Sequence, residues 1–183
     1  MRIRFYISLG LLLMLAFYGC RGSSEIEMKG AQKAMDEAKN HHADDLAPTD
    51  FQQAQKTWDR AQAAEKEGNT GTAKVLFESA RIYFGKAADI AKSKRDALSR
   101  QLENMQLMIS SNFDQVKRDL SRGNLSPGQQ DQVRAIASEV EEGNAAITKL
   151  VSEDDYLKAV ATAKVVQTKI YNAQLILAGQ KAR

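Results

Sequence analysis

The sequence predicts an all-α protein, an elongated antiparallel bundle of about five helices that share one long central helix. Two observations lead to this prediction. The stretch from Gly71 to Arg122 contains no proline and only one internal glycine, Gly85. Its apolar residues follow a spacing of 4, 3 and 4 that repeats every eleven residues, which is close to the natural period of a straight α-helix. One helix over this stretch would be about 75 Å long.

The composition supports a helical protein and gives no reason to expect a nucleic-acid partner. Of the 183 residues, 27% are charged, 7% are aromatic and only two, Pro48 and Pro127, are prolines. The net charge is +3, and it falls to near +1 if Arg2 and Arg4 are removed with a signal segment. A nearly neutral chain has no electrostatic footprint for nucleic acid. The single cysteine, Cys20, excludes an internal disulfide framework.

The first twenty residues have the form of a secretory signal. Arg2 and Arg4 precede an apolar run from Phe5 to Phe17, and Cys20 follows shortly after. Such a run is shorter than the roughly 20 residues that span a bilayer. The segment resembles a bacterial lipoprotein signal, in which the cysteine is lipidated and the signal is cut before it. The alternative is an ordinary signal peptide followed by an incidental free cysteine.

The lipoprotein resemblance implies a location and an anchor. It makes residues 1–19 the signal peptide, 20–25 a tether and 26–183 the helical domain, with Cys20 as the site of lipid attachment. Arg21 follows the cysteine instead of the Asp that retains enterobacterial lipoproteins at the inner membrane. The resemblance therefore implies an outer-membrane protein that is lipid-anchored on the periplasmic face. Each buried CH₂ of an acyl chain such as palmitate would contribute about 0.8 kcal/mol.

Turn and capping signals divide the remaining chain into helices. Thr49 with Gln52, Ser126 with Gln129, and Ser152 with Asp155 all have the spacing of helix-capping pairs. The four-residue turn at 68–71 is short enough to make the helices on either side of it antiparallel neighbours. The expected helices cover about 26–46, 50–67, 71–122, 127–150 and 153–179.

Lys94 interrupts the apolar stripe of the long helix. We favour the interpretation that the stripe changes packing partners there, which gives an N-terminal hairpin layer at 26–92 and a C-terminal hairpin layer at 93–183. The alternative is that the lysine stem covers apolar surface while its ammonium group reaches water. Residues 110–112, Ser-Ser-Asn, are weak helix formers and mark the place where a kink is most easily accommodated.

The segment from Ala31 to Lys92 carries a second resemblance. Its pattern consists of an Ala-Pro pair at 47–48, a Gly-Asn turn at 68–69, and alanines at Ala73, Ala80, Ala87 and Ala91. The pattern resembles an Ala-rich helical-hairpin domain of unknown function from bacterial lipoproteins. Members of that family often occur beside peptidoglycan-binding modules. The resemblance implies a hairpin fold and an envelope location, and it brings no catalytic residue with it.

Two groups of residues are candidates for chemistry or binding. His41 and Asp45 lie one turn apart if they share a helix and could then hold a divalent ion. Two ligands do not complete a metal site, so a solvated helix end is the preferred interpretation and no metal is expected. Four aromatic residues could line a groove for a ligand or a peptidoglycan fragment, although their spacing favours a helix core: Trp58, Phe77, Tyr83 and Phe84.

The sequence contains no nucleophile with a partner base and no Gly-rich phosphate loop with its lysine, so we expect neither an enzyme nor a cofactor. The predicted function is that of a lipid-anchored cell-envelope protein with a structural or adaptor role. It would bind the membrane through acylated Cys20 and an envelope protein partner through helix surfaces, with peptidoglycan association left open. The alternative is a tetratricopeptide-like module with a concave binding face. Metal buffering is a third class and rests on His41 and Asp45 alone.

Overall fold

The computed structural model describes residues 23–122 and 125–179, and within these ranges the regular structure is entirely α-helical. The helices are α1 (Glu25–Asn40), α2 (Ala43–Leu46), α3 (Pro48–Lys66), α4 (Thr70–Arg122), α5 (Pro127–Ser152) and α6 (Tyr156–Leu177). The predicted all-α fold with one long helix is confirmed. The predicted signal peptide at 1–19 and the lipid-attachment residue Cys20 lie outside the described residues.

The chain divides into two compact units, one ending at Ser93 and the other beginning at Lys94. α4 contributes to both units, because its 53 residues form one helix from Thr70 to Arg122. The Ser-Ser-Asn sequence at 110–112 is helical like the residues around it. Its low helix propensity therefore does not end the helix.

In the first unit, α3 and the beginning of α4 are antiparallel. The rings of Phe51 and Phe84 meet edge to face with 5.5 Å between their centroids. Trp58 and Phe77 do the same at 5.1 Å. Partners of later α3 residues are earlier α4 residues, which is the antiparallel order that the short turn predicts. Fully buried alanines one helical turn from these rings let the two helices approach closely: Ala54, Ala61, Ala73, Ala80 and Ala87.

α1 completes the core of the first unit. The hydroxyl of buried Ser24 donates a hydrogen bond to Glu65 near the end of α3. Gly30 lies beside Arg81 of α4, where an added Cβ would stand 3.4 Å from the arginine Cδ. Ala31, Met35 and Ala38 are the buried residues of α1. Small side chains on three helices therefore make this core together with the aromatic rings of α3 and α4.

The second unit packs the end of α4 against α5 and α6. Glu139 of α5 accepts a hydrogen bond from Lys169 of α6, and Gly143 of α5 lies against Val166 of α6, so these helices are antiparallel. The core is built from larger aliphatic side chains than in the first unit. It includes Leu102, Met105, Ile109, Phe113, Val116, Val133, Val140, Ile147, Val166 and Ile170.

The start of the helical domain differs from the prediction of one helix over 26–46. α1 ends at Asn40, and His42 takes a left-handed conformation with φ 54° before the short helix α2. The predicted capping role of Thr49 is also wrong. Ala47 is the N-cap of α3, and no side chain accepts a hydrogen bond there. Pro48 stands at the first helical position, where its missing N–H and fixed φ suit a helix start.

The two later caps have different outcomes. The Ser126 capping box is confirmed: the Ser126 hydroxyl accepts from the Gln129 amide, and Gln129 Oε1 accepts from the Ser126 amide at 3.0 Å. The predicted Ser152 cap is wrong, because α5 continues through that residue. Asp155 caps α6 by accepting from the Lys158 amide at 3.1 Å. A turn with Asp154 at φ 62° separates the two helices.

Candidate functional site: a groove between α3 and α4

An open groove of about 540 Å³ lies along the first unit, between α3 and the beginning of α4. α3 supplies six of its lining residues and α4 supplies three. None of them belongs to α1. They are Thr49, Gln52, Gln53, Lys56, Thr57, Arg60, Leu76, Ser79 and Tyr83. The groove therefore runs between α3 and α4 and is open to solvent.

The electrostatic character of the groove is positive. Lys56 and Arg60 lie one helical turn apart on α3, and no carboxylate is among the lining residues. Neither cation forms an ion pair within the described part of the chain. Most of the other lining groups are hydroxyls and side-chain amides. This arrangement can bind an extended acidic chain by charge-assisted hydrogen bonds.

The walls of the groove are held by contacts on both helices. The Thr57 hydroxyl donates to the Gln53 carbonyl at 2.9 Å, which fixes one wall residue against its own helix. Near one end, Lys86 of α4 donates to Asp50 of α3 at 2.8 Å. This hydrogen bond raises the pKa of the Lys86 ammonium above its ordinary value. The ion pair joins the two helices that form the groove.

The structure separates the four aromatic residues that the sequence placed together. Phe77 and Phe84 are completely buried and Trp58 is 7% exposed, so these three are core residues as their spacing favours. Tyr83 is half-buried and lines the groove. The favoured assignment of all four aromatic residues to a helix core is therefore wrong for Tyr83. The core uses the adjacent positions, Phe77 and Phe84, while Leu76 lines the groove with Tyr83.

The groove cations do not stand out in the sequence. The only signal of Lys56 and Arg60 as a pair is a spacing of four residues on a helix with Gln at 52 and 53. That signal is common on solvated helix faces. What distinguishes these cations is the neighbouring helix, which supplies Ser79 and Tyr83 across the groove.

The metal hypothesis required His41 and Asp45 to share one helical turn, and this geometry is absent. His41 is the C-cap of α1, whereas Asp45 belongs to α2 after the left-handed residue His42. The Nδ1 atom of His41 is shielded from solvent and has no hydrogen-bond partner among residues 23–122 and 125–179. The same residues contain no group of three or more His, Cys, Asp or Glu side chains placed to hold a metal ion.

The site thus lies between two antiparallel helices of an all-helical unit. Residues 27–107 match DUF4398, a domain of unknown function. The match covers α1 from Glu27, all of α2 and α3, and α4 as far as Leu107. The sequence prediction of a domain of unknown function in this region is confirmed. Neither the curated proteins nor the solved structures include a match to this chain. None of the described helices has the length and apolar character needed to cross a membrane.

Proposed function

We propose that this chain is a lipid-anchored cell-envelope protein with a structural or adaptor role, and that its α3–α4 groove binds an acidic segment of an envelope protein partner. The observation that carries the binding proposal is the groove lining, which combines two cations, hydroxyls and amides with no carboxylate. An acidic segment is complementary to this lining in charge and in hydrogen-bonding groups.

The membrane part of the proposal rests on the first twenty residues. A short apolar run behind two arginines ends at the only cysteine of the chain. Acylation of Cys20 would hold the helical domain at the periplasmic face of the outer membrane. The tether would be residues 21–23, shorter than the expected 20–25, because Ser24 is buried and α1 begins at Glu25. A single cysteine that forms no disulfide is unexpected in an oxidising compartment, and acylation would account for it.

A non-enzymatic role is part of the same proposal. The groove lining contains no His, Asp or Glu that could serve as a general base to a nucleophile. Helix lengths favour the adaptor over a tetratricopeptide-like module. Such a module repeats a pair of short helices about every 34 residues, whereas α4 alone has 53 residues.

The anchor is tested by growing cells with labelled palmitate and comparing the full chain with its Cys20→Ser variant. We expect label and membrane association for the full chain and loss of both in the variant. Ser23→Ala, three residues further on, is the matched control and should behave as the full chain does. Absence of label from the full chain would overturn the lipid anchor and leave the groove proposal standing.

A further inference from the structure

The outward face of α4 in the second unit carries a regular stripe. Its residues are spaced 4, 3, 4, 3 and 4 along the helix and all are exposed: Arg100, Asn104, Leu107, Ser111, Asp114 and Arg118. The buried residues of this part of α4, such as Met105 and Ile109, lie on the opposite side of the helix. Leu107 is 71% exposed. Residues at this 4 and 3 spacing share one face of the helix, where a second helix lying alongside can contact them.

The charges of this stripe are antisymmetric about Leu107. Arg100 stands seven residues before Leu107, and Asp114 stands seven residues after it. Asp96, also exposed, stands eleven residues before, and Arg118 stands eleven residues after. If the helix is turned end to end about Leu107, each of these four charged residues therefore takes the place of a residue of opposite charge.

We infer that this stripe is the docking surface for a second copy of the same chain, packed antiparallel with the two-fold axis at Leu107. In that arrangement Leu107 meets Leu107 of the second copy. Arg100 faces Asp114 of the second copy, and Asp96 faces Arg118 of the second copy. A two-fold axis generates each pair twice, so four ion pairs of complementary charge flank the central leucines. In a parallel pair in register, each of these residues would instead face the same residue of the second copy, and like charges would meet.

The contacts that these side chains already make do not prevent them from pairing with a second copy. Asp114 accepts from Lys117 at 2.9 Å, and Arg118 donates to Gln115 at 2.7 Å, both within α4. All four side chains remain exposed. A carboxylate has about four acceptor sites and a guanidinium has five N–H donors, so both can take a further partner.

The strength of the interface follows from its size. The stripe from Asp96 to Arg118 is about 33 Å long at 1.5 Å per residue. A single pair of helices of that length buries less than the roughly 1,200 Å² of a standard stable interface. The dimer is therefore weak and forms as protein concentration rises.

Cysteine crosslinking tests the axis directly. In the full chain with Cys20→Ser, we expect Leu107→Cys to form a disulfide-linked dimer under mild oxidation. Arg100→Cys is the matched control, because an antiparallel pair separates the two copies of position 100 by about 21 Å along the helix. Equal crosslinking by both variants would indicate a parallel pair or random collision and would overturn the inference, as would absence of a Leu107→Cys dimer.

Charge exchange tests the pairing without cysteines. Sedimentation equilibrium of the full chain with Cys20→Ser should show self-association that Arg100→Asp or Asp114→Arg weakens at least fivefold. The double variant Arg100→Asp/Asp114→Arg should restore it, since the exchanged charges again face opposite signs. Circular dichroism verifies that each variant remains helical. A double variant as weak as the single ones would contradict the antiparallel pairing.

Discussion

Gly143 of α5 lies directly against Val166 of α6, so closely that a Cβ at position 143 would stand 2.4 Å from the valine Cγ2. Val166 is buried and β-branched, and its methyl group cannot move aside freely. A glycine inside a helix costs about 1 kcal/mol relative to alanine. The close approach of α5 and α6 explains why a glycine stands there.

We expect Gly143→Ala to destabilise the protein by up to about 2 kcal/mol, since overpacking costs about 1–3 kcal/mol and higher helix propensity offsets about 1 kcal/mol of it. Urea unfolding followed by circular dichroism measures the change. Gly85→Ala is the matched control, because no atom beyond its chain neighbours and the nearby backbone of its own helix lies within 4 Å of the added Cβ, and it should stabilise by up to about 1 kcal/mol. Equal stabilisation by both substitutions would show that α5 and α6 are not this close.

The aromatic core of the first unit should be sensitive to truncation at Phe77. Its ring is completely buried and packs on Trp58, so Phe77→Ala should cost about 3–5 kcal/mol in the free energy of unfolding. Val75 is two residues away on the same helix and 66% exposed. Val75→Ala should change the stability by no more than about 0.5 kcal/mol. Similar small losses for both variants would place Phe77 outside the core.

The groove cations should control binding of acidic chains. A fluorescein-labelled hexaglutamate peptide serves as the probe, with fluorescence anisotropy at low salt as the measurement. Lys56→Gln/Arg60→Gln should weaken binding at least fivefold, because both charges leave the groove. Lys29→Gln/Lys33→Gln removes an exposed pair with the same spacing from α1 and is the matched control. Equal weakening by the two double variants would show that only net charge matters.

The stability of the protein should fall at both acid and alkaline pH. Hydrogen bonds from Lys29 and Arg81 hold the pKa values of Glu25 and Glu78, respectively, below the ordinary 4.5. Their stabilising contribution is present above pH 4.5 and is lost as the pH falls through the lowered pKa values.

On the alkaline side, the pKa of Lys86 is raised above 10.5 by Asp50, so its contribution is present below that pH and is lost as the pH rises further. Thermal unfolding across the pH range measures the loss of stability at acid pH and the loss at alkaline pH. Glu25→Gln/Glu78→Gln should reduce the acid-side loss, and an unchanged acid-side loss in that variant would contradict these ion pairs.

The long helix could be predicted from the sequence because its eleven-residue apolar spacing extends over many turns. The packing face of its first half could not be predicted. Leu76 and Phe77 are adjacent apolar residues about 100° apart around the helix axis, as are Tyr83 and Phe84, so either member of each pair could face the core. Only the position of α3 decides that Phe77 and Phe84 enter the core.

The capping signals show a similar dependence on neighbours. Ser126 precedes a proline that takes the first helical position, so both signals agree on the helix start. At Thr49 the capping signal and the proline signal disagree, because Pro48 takes the first helical position and Thr49 falls inside α3. The groove itself was beyond prediction from spacing, since two helices supply its lining and most of that lining is polar.

The central claim, that the groove binds an envelope partner, is tested most directly by photo-crosslinking in cells. A photoreactive amino acid replaces Gln53, an exposed groove residue, or Gln62, an exposed glutamine of α3 outside the groove. We expect a discrete crosslinked protein adduct from position 53 that disappears with Lys56→Gln/Arg60→Gln, and no such adduct from position 62. The same adduct from both positions, or none from position 53, would contradict the claim.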